Sequence, residues 1–220
     1  MILAIDTTHE FGSLALAQGG ELIEEAPLHA PEGFGQVIYG HIARLLEKHH
    51  VRPGEIECFA AAAGPGSFTG VRVGLACAKG LAEAAGRPVA AISNLEAVAS
   101  FGTAPLHAAL LDARRGQIYG AVYSASGGLV SPEIVAALGD WLRTLPAGEI
   151  EFLSPTIERF RMALYGTPFA HSKTTPVPHA LAAALARIAQ SRLDAGRVQD
   201  PAAVDANYVR RSDAELFWKE

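Results

Sequence analysis

The sequence is poor in most of what marks a metal-binding, disulfide-stapled, membrane-spanning or nucleic-acid-gripping protein. Only two cysteines occur, Cys58 and Cys77, and their spacing fits neither a zinc ligand pair nor a redox CxxC, so both are expected as reduced core residues. The eight histidines, His9, His29, His41, His49, His50, His107, His171 and His179, form no HxxxH or HExxH pair on a predicted helix. Surface or helix-flanking roles follow, and no metal site is predicted. Basic residues are outnumbered, 18 against 23, leaving a net charge of −5. That balance lacks the Lys and Arg excess with which a protein grips phosphates unaided. No apolar run approaches the roughly 20 residues of a membrane span. The opening Met1–Asp6 is too short for a signal peptide and reads as a buried strand, so a cytoplasmic location is expected.

What is present is an ordinary globular composition, 50% hydrophobic and 19% charged over 220 residues, enough for one large domain or two small ones. Short apolar runs around a polar turn suggest a meander: Ile2–Ile5, then Gly12–Ala17, then Glu21–Glu25 after Gly19-Gly20. Phe34, Val37, Ile38, Ile42, Leu45 and Leu46 fall at helical spacing. Pro53-Gly54 precedes an uncharged run, Cys58–Ala63, with the length of a buried strand. The periodicity then predicts a helix over 71–85, a strand over 89–92 and a helix over 95–101. From Ala108 the opening pattern recurs as an apolar run, the polar turn Asp112-Ala-Arg-Arg-Gly116, and an alternating strand over 117–123, which suggests internal duplication. Helices near 136–145 and 179–193 and a strand over 150–153 complete an α/β reading, with domains expected at 1–104 and 105–220.

Two kinds of segment could carry chemistry. Ala63-Gly-Pro-Gly-Ser-Phe-Thr-Gly-Val-Arg-Val-Gly74 is a Gly-rich turn between a strand and a helix, where amides freed by Gly64 and Gly66, with Ser67 beside them, could cup an anion. It lacks the Lys and hydroxyl of GxxxxGK[ST]. The competing reading is a tight turn followed by a small-residue stripe, Gly70, Gly74 and Ala78, that lets another helix approach. Asp6, Thr7 and Thr8, with Asp112 and Arg114 in the corresponding later turn, could orient a nucleotide phosphate or its metal ion, although such turns also arise for structural reasons. No Ser pairs with a His and an Asp by sequence, so no catalytic residue is predicted.

Ile2-Leu-Ala-Ile-Asp-Thr-Thr8, the segment Ala63–Gly74, Ala78-Lys-Gly-Leu81 and Asp112-Ala-Arg-Arg-Gly-Gln-Ile-Tyr119 together closely resemble the TsaB (YeaZ) family, and Asn207-Tyr-Val-Arg210 is similar to its C-terminal Tyr-Leu-Arg element. The resemblance runs through the first 123 residues and is loose between about 124 and 200. It implies an actin/hexokinase/Hsp70-like (ASKHA) fold of two related lobes, each a mixed sheet flanked by helices. It also implies a non-catalytic scaffold needed to make threonylcarbamoyladenosine beside the tRNA anticodon. Such a scaffold pairs with the homologous catalytic subunit TsaD and the ATPase TsaE, forms a homodimer when alone, meets tRNA only through the complex, and has ATP or ADP as a ligand only there. The helix pair by which the family docks places a partner interface at Phe34, Val37, Ile38, Ile42, Gly70, Gly74, Leu75, Ala78 and Leu81. Many members carry His-Ser-Gln where this chain has Phe34-Gly35-Gln36. An ATP-dependent small-molecule kinase of the same fold and a glycoprotease-like metallopeptidase are the alternative readings.

Overall fold

The computed structural model describes residues 1–210. In chain order the elements are β1 (Ile2–Asp6), β2 (Phe11–Gln18), β3 (Glu21–His29), α1 (Ile38–Lys48), β4 (Cys58–Ala62), α2 (Phe68–Ala85), β5 (Val89–Ile92), α3 (Asn94–Ala99), β6 (Leu106–Asp112), β7 (Gln117–Ser124), β8 (Leu129–Ala137), α4 (Leu138–Leu142), β9 (Ile150–Ser154), α5 (Ile157–Leu164), β10 (Thr174–Pro176) and α6 (Ala182–Asp194). They form two compact units. One comprises residues 1–94 and 179–207, the other 95–178 and, among the described residues, 208–210. This corrects the contiguous division at 104/105: the Ala-rich helix near the end of the chain returns to the first unit. The last ten residues of the expected second lobe lie outside the described residues.

The first unit's sheet runs β3-β2-β1-β4-β5. Its first three strands are antiparallel, and β1, β4 and β5 are parallel. β1 and β4 are buried along their whole length, which explains why Ile2–Ile5 and Cys58–Ala62 are apolar: both faces are covered. One face supplies Leu3, Ile5, Leu14, Leu16 and Phe59 to a core with Ile38, Ile42 and Leu45 of α1 and Val71 and Leu75 of α2. Ala4, Ala15 and Ala60 share one register row on the same sheet. α6 packs on β1, β2 and β4 with its own buried Ala182, Ala186 and Ala189, so small residues permit close approach.

The second unit repeats the plan. Its sheet order, β10-β9-β6-β7-β8, is the first order with each strand replaced by its counterpart and read backwards, with the same antiparallel and parallel pairings. The duplication expected from the sequence is thus present in the topology. Three elements were not foreseen: β8, α5 and β10. β8 also displaces the helix expected over 136–145, because Ala136 and Ala137 pair with Ile118 and Gln117 and the helix starts only at Leu138. Pro132 interrupts the alternation of β8; it lies where the β7–β8 register shifts, on an edge strand, where a missing N–H is tolerated. The second core gathers Leu110, Ile118, Trp141, Ile150, Phe152 and Ile157.

Candidate functional site

The turn after β1 is closed upon itself. Asp6 is 1% exposed, and Thr7 and Thr8 are equally buried. Asp6 Oδ1 accepts hydrogen bonds from the Thr8 N–H (2.9 Å) and hydroxyl (2.7 Å). Asn94 Nδ2 donates to Thr8 Oγ1 (2.5 Å), while Asn94 Oδ1 accepts from the Gly64 N–H (3.1 Å). The network therefore runs from β1 to the start of α3 and on to the Gly-rich turn. Burial pushes the Asp6 carboxyl above its ordinary range, the Thr8 hydrogen bonds oppose that shift, and the charge of Glu25 adds to it. In this arrangement the carboxylate faces its own chain and does not reach outward to a phosphate or its metal ion.

The Gly-rich segment is built for contact with that turn. The N–H of Ser67 donates to the Thr8 carbonyl (2.8 Å), and the Thr7 hydroxyl donates to the Gly70 carbonyl (2.7 Å). A Cβ at Gly66 would stand 2.8 Å from both Thr8 Cβ and the Thr8 carbonyl oxygen, and one at Gly74 would stand 2.5 Å from Thr7 Oγ1. Gly64 adopts φ 101°, a region closed to most side chains. Ser67 is the N-cap of α2, its Oγ accepting from the Gly70 N–H at 3.3 Å. The amides of Gly64, Ser67 and Gly70 are thus engaged within the chain. The small residues serve approach of α2 to the β1–β2 turn, which is the structural of the two readings the sequence left open.

This placement corrects the expected interface. Phe34, Ile38, Ile42, Gly74, Leu75 and Ala78 are buried in the first unit's own core, and Gly70 and Leu81 are half-buried. Only Val37 of the nine is exposed. The helical spacing was real, but the stripe it drew points inward. Phe34 precedes the helix, in a turn closed by Val37 and Ile38 N–H bonds to its carbonyl. The exposed apolar side chains in this part of the unit are Val37, Tyr39 and Phe68, the last beneath Arg72, whose guanidinium carbon sits 3.8 Å from the ring centroid.

In the second unit the corresponding turn is open. Asp112 Oδ1 accepts from the Arg114 N–H at 2.8 Å, the same turn chemistry as Asp6 with Thr8. Here the carboxylate is exposed and lies 3.4 Å from Arg159 Nη1. Arg210 donates to the Ala113 carbonyl (2.9 Å) and Gln117 Oε1 (2.7 Å), so the Asn207–Arg210 element ends on this hairpin.

Several polar residues were not singled out from sequence. Asn94 is one; a lone Asn at a helix start carries no signal until its partners at residues 8 and 64 are known. Glu25 and Ser13 accept from the N–H groups of Ala183 and of Leu181 and Ala182, satisfying the N-terminus of α6. Glu151 is fully buried and accepts from the Thr103 and Ala104 N–H groups, the Thr175 hydroxyl and Lys173. Burial alone would raise its pKa; these donors hold it down to about 2. Both cysteines are buried free thiols, pushed up to about 11 by burial.

The duplicated sheet-and-helix plan defines a two-lobed α/β protein of the actin/hexokinase/Hsp70 type. Residues 26–208 match the family model described as TsaD, tRNA N6-adenosine threonylcarbamoyltransferase. The Bacillus subtilis tRNA threonylcarbamoyladenosine biosynthesis protein TsaB is 35% identical over 149 residues, covering 66% of this chain and 65% of that protein. Its namesake from Haemophilus influenzae is 38% identical over 123 residues, covering 54% and 51%. The matches span about half to two thirds of these relatives. YeaZ from Pseudomonas aeruginosa superimposes with a TM-score of 0.77 at 24% identity, over 94% of this chain and 98% of that one, and so shares the fold. The chain belongs to the TsaB (YeaZ) family.

Proposed function

We propose that the chain is a non-catalytic subunit in the formation of threonylcarbamoyladenosine in tRNA, working beside a TsaD-type transferase and a TsaE-type ATPase. The observation that carries this reading is the closed turn after β1. In a lobe that handles nucleotide itself, this turn would offer its carboxylate and hydroxyls to phosphates; here Asp6, Thr8, Asn94 and Gly64 satisfy one another. The family membership supplies the pathway. ATP or ADP is then a ligand of the assembled complex and not of the isolated chain. Cytoplasmic location follows from a tRNA substrate; no helix among the described residues is long and apolar enough to cross a membrane.

The surface that pairs with the transferase, or with a second copy when the chain is alone, is assigned to Val37, Tyr39 and Phe68 in place of the small-residue stripe. Reconstituted tRNA modification, with each component omitted in turn, tests the reading. Loss of product without this chain and no transfer by the chain alone are expected. Full activity in its absence would overturn the proposal, as would turnover by the pure chain abolished by one substitution.

A further inference from the structure

The β6–β7 hairpin gathers positive charge that lies far apart in the sequence. Arg114 and Arg115 occupy its apex at φ 63° and 55°, followed by Gly116 at 72°. Positive φ is costly for an arginine; here the Asp112 side chain accepts from the Arg114 N–H, and the Gln117 N–H donates to the Arg114 carbonyl across the turn. Both arginines are exposed. Arg159 of α5 reaches the same carboxylate with a side chain 68% exposed. Arg210 is fixed just below the apex, by Ala113 and Gln117, 5.6 Å from the Tyr119 ring centroid. Four arginines from three stretches of chain thus come to one end of the hairpin, the Arg159 guanidinium on the Asp112 carboxylate and the Arg210 guanidinium on Ala113 and Gln117, in a protein whose net charge is −5. Glu158, the neighbouring acid on α5, is paired with Arg161 at 3.3 Å.

We propose that this hairpin is a phosphodiester-binding surface through which the chain touches RNA directly, with Arg114, Arg115 and Arg159 on the phosphates and Asp112 as the positioning residue. Guanidinium forks match phosphate oxygens in pairs. An exposed hairpin apex suits a polymer backbone, whereas a mononucleotide needs an enclosing pocket. The choice of RNA as the anion rests on the tRNA-modification reading above. The sequence alone suggested no electrostatic stripe, because residues 114, 159 and 210 meet only after β6, β7, α5 and the C-terminal element have folded.

The test is fluorescence anisotropy of a labelled, unmodified tRNA transcript with the full chain and no other protein. Three phosphate contacts predict weakening by about 15–60-fold between 50 and 200 mM KCl. The double variant Arg114→Gln/Arg115→Gln, checked for native circular dichroism, is expected to bind at least about tenfold more weakly at 50 mM KCl and to lower the salt slope by about 2. Absence of binding at 50 mM KCl, or unchanged affinity and slope in the variant, would overturn the proposal. So would displacement of tRNA by polyglutamate or by equimolar ATP, which would point to an acidic protein or a mononucleotide. If modification still requires the chain while the chain shows no RNA binding, this inference fails and the subunit reading stands.

Discussion

The two units use one turn in opposite ways. After the first strand of each, an aspartate accepts the N–H two residues on: Asp6 from Thr8, Asp112 from Arg114. In the first unit the next residues are threonines, and the turn is sealed by Asn94 and the Gly-rich segment. In the second they are the buried Ala113 and then Arg114 and Arg115 at an exposed apex. The position of the loop between the first two strands and the aspartate bond are shared, but backbone and side chains both differ: Arg114 and Arg115 take positive φ and no residue of 7–10 does. A turn packed against glycines serves as core; the corresponding turn edged with guanidinium groups is a surface.

The largest effect is expected where the sealed turn meets α2. Gly74→Glu would place a Cβ 2.5 Å from Thr7 Oγ1 and a carboxylate in the core, where an unpaired buried charge costs about 3–5 kcal/mol. That is a large fraction of a domain's stability, typically about 5–15 kcal/mol. Circular dichroism and urea denaturation should show a globally destabilised or unfolded chain. Native folding with only association impaired would restore α2 to the interface and undo the contrast between the two turns.

The strands of the first unit and the duplication were legible because buried strands and polar turns leave a local pattern. The interface was misread for a related reason: periodicity reports which residues share a helix face, not whether that face meets its own core or a partner. Gly70, Gly74 and Ala78 do share a face, and Thr7 lies against it. β8 escaped notice because Pro132 and a register shift break its alternation, and α6 was assigned to the wrong unit because its partners, Ser13 and Glu25, lie over 150 residues earlier. Long-range hydrogen bonds of that kind leave no local trace.

A smaller effect is expected at Glu151, whose counterpart in the comparison is Asp6: both are buried carboxylates, shifted in opposite directions. The folded pKa of Glu151, about 2, lies below that of an unfolded Glu. Its ionised form therefore stabilises the fold above the unfolded pKa, and that contribution is lost as pH falls from about 4.5 toward 2. Glu151→Gln is expected to cost on the order of 2–3 kcal/mol at pH 7, because the amide keeps one acceptor oxygen, sets an NH2 donor against the donors that met the other, and removes the charge paired with Lys173. The difference between the urea midpoints of the two proteins should narrow as pH falls from 5 to 3 and close only as pH approaches 2. A constant difference from pH 7 to pH 3 would mean that the carboxylate is not what holds this loop.

The smallest and most discriminating difference is between Asp6→Asn and Asp112→Asn. Asp6 has its folded pKa raised, so the folded state holds the proton more tightly than the unfolded one. The stability this gives is complete below the unfolded value near 3.9 and is lost as pH rises through the folded pKa. At neutral pH the buried charge is a burden, and asparagine keeps an Oδ1 acceptor for both Thr8 donors without it. Asp6→Asn should therefore gain about 1 kcal/mol relative to the native chain at pH 7 and little or nothing at pH 3.5. Asp112→Asn also keeps its acceptor, and the pair it weakens with Arg159 is solvent-screened, so a change within about 0.5 kcal/mol with little pH dependence is expected. Urea midpoints at both pH values distinguish the two. If Asp6→Asn loses stability at pH 7 by more than Asp112→Asn, the sealed turn depends on an ionised carboxylate, and its likeness to the open turn extends from geometry to charge.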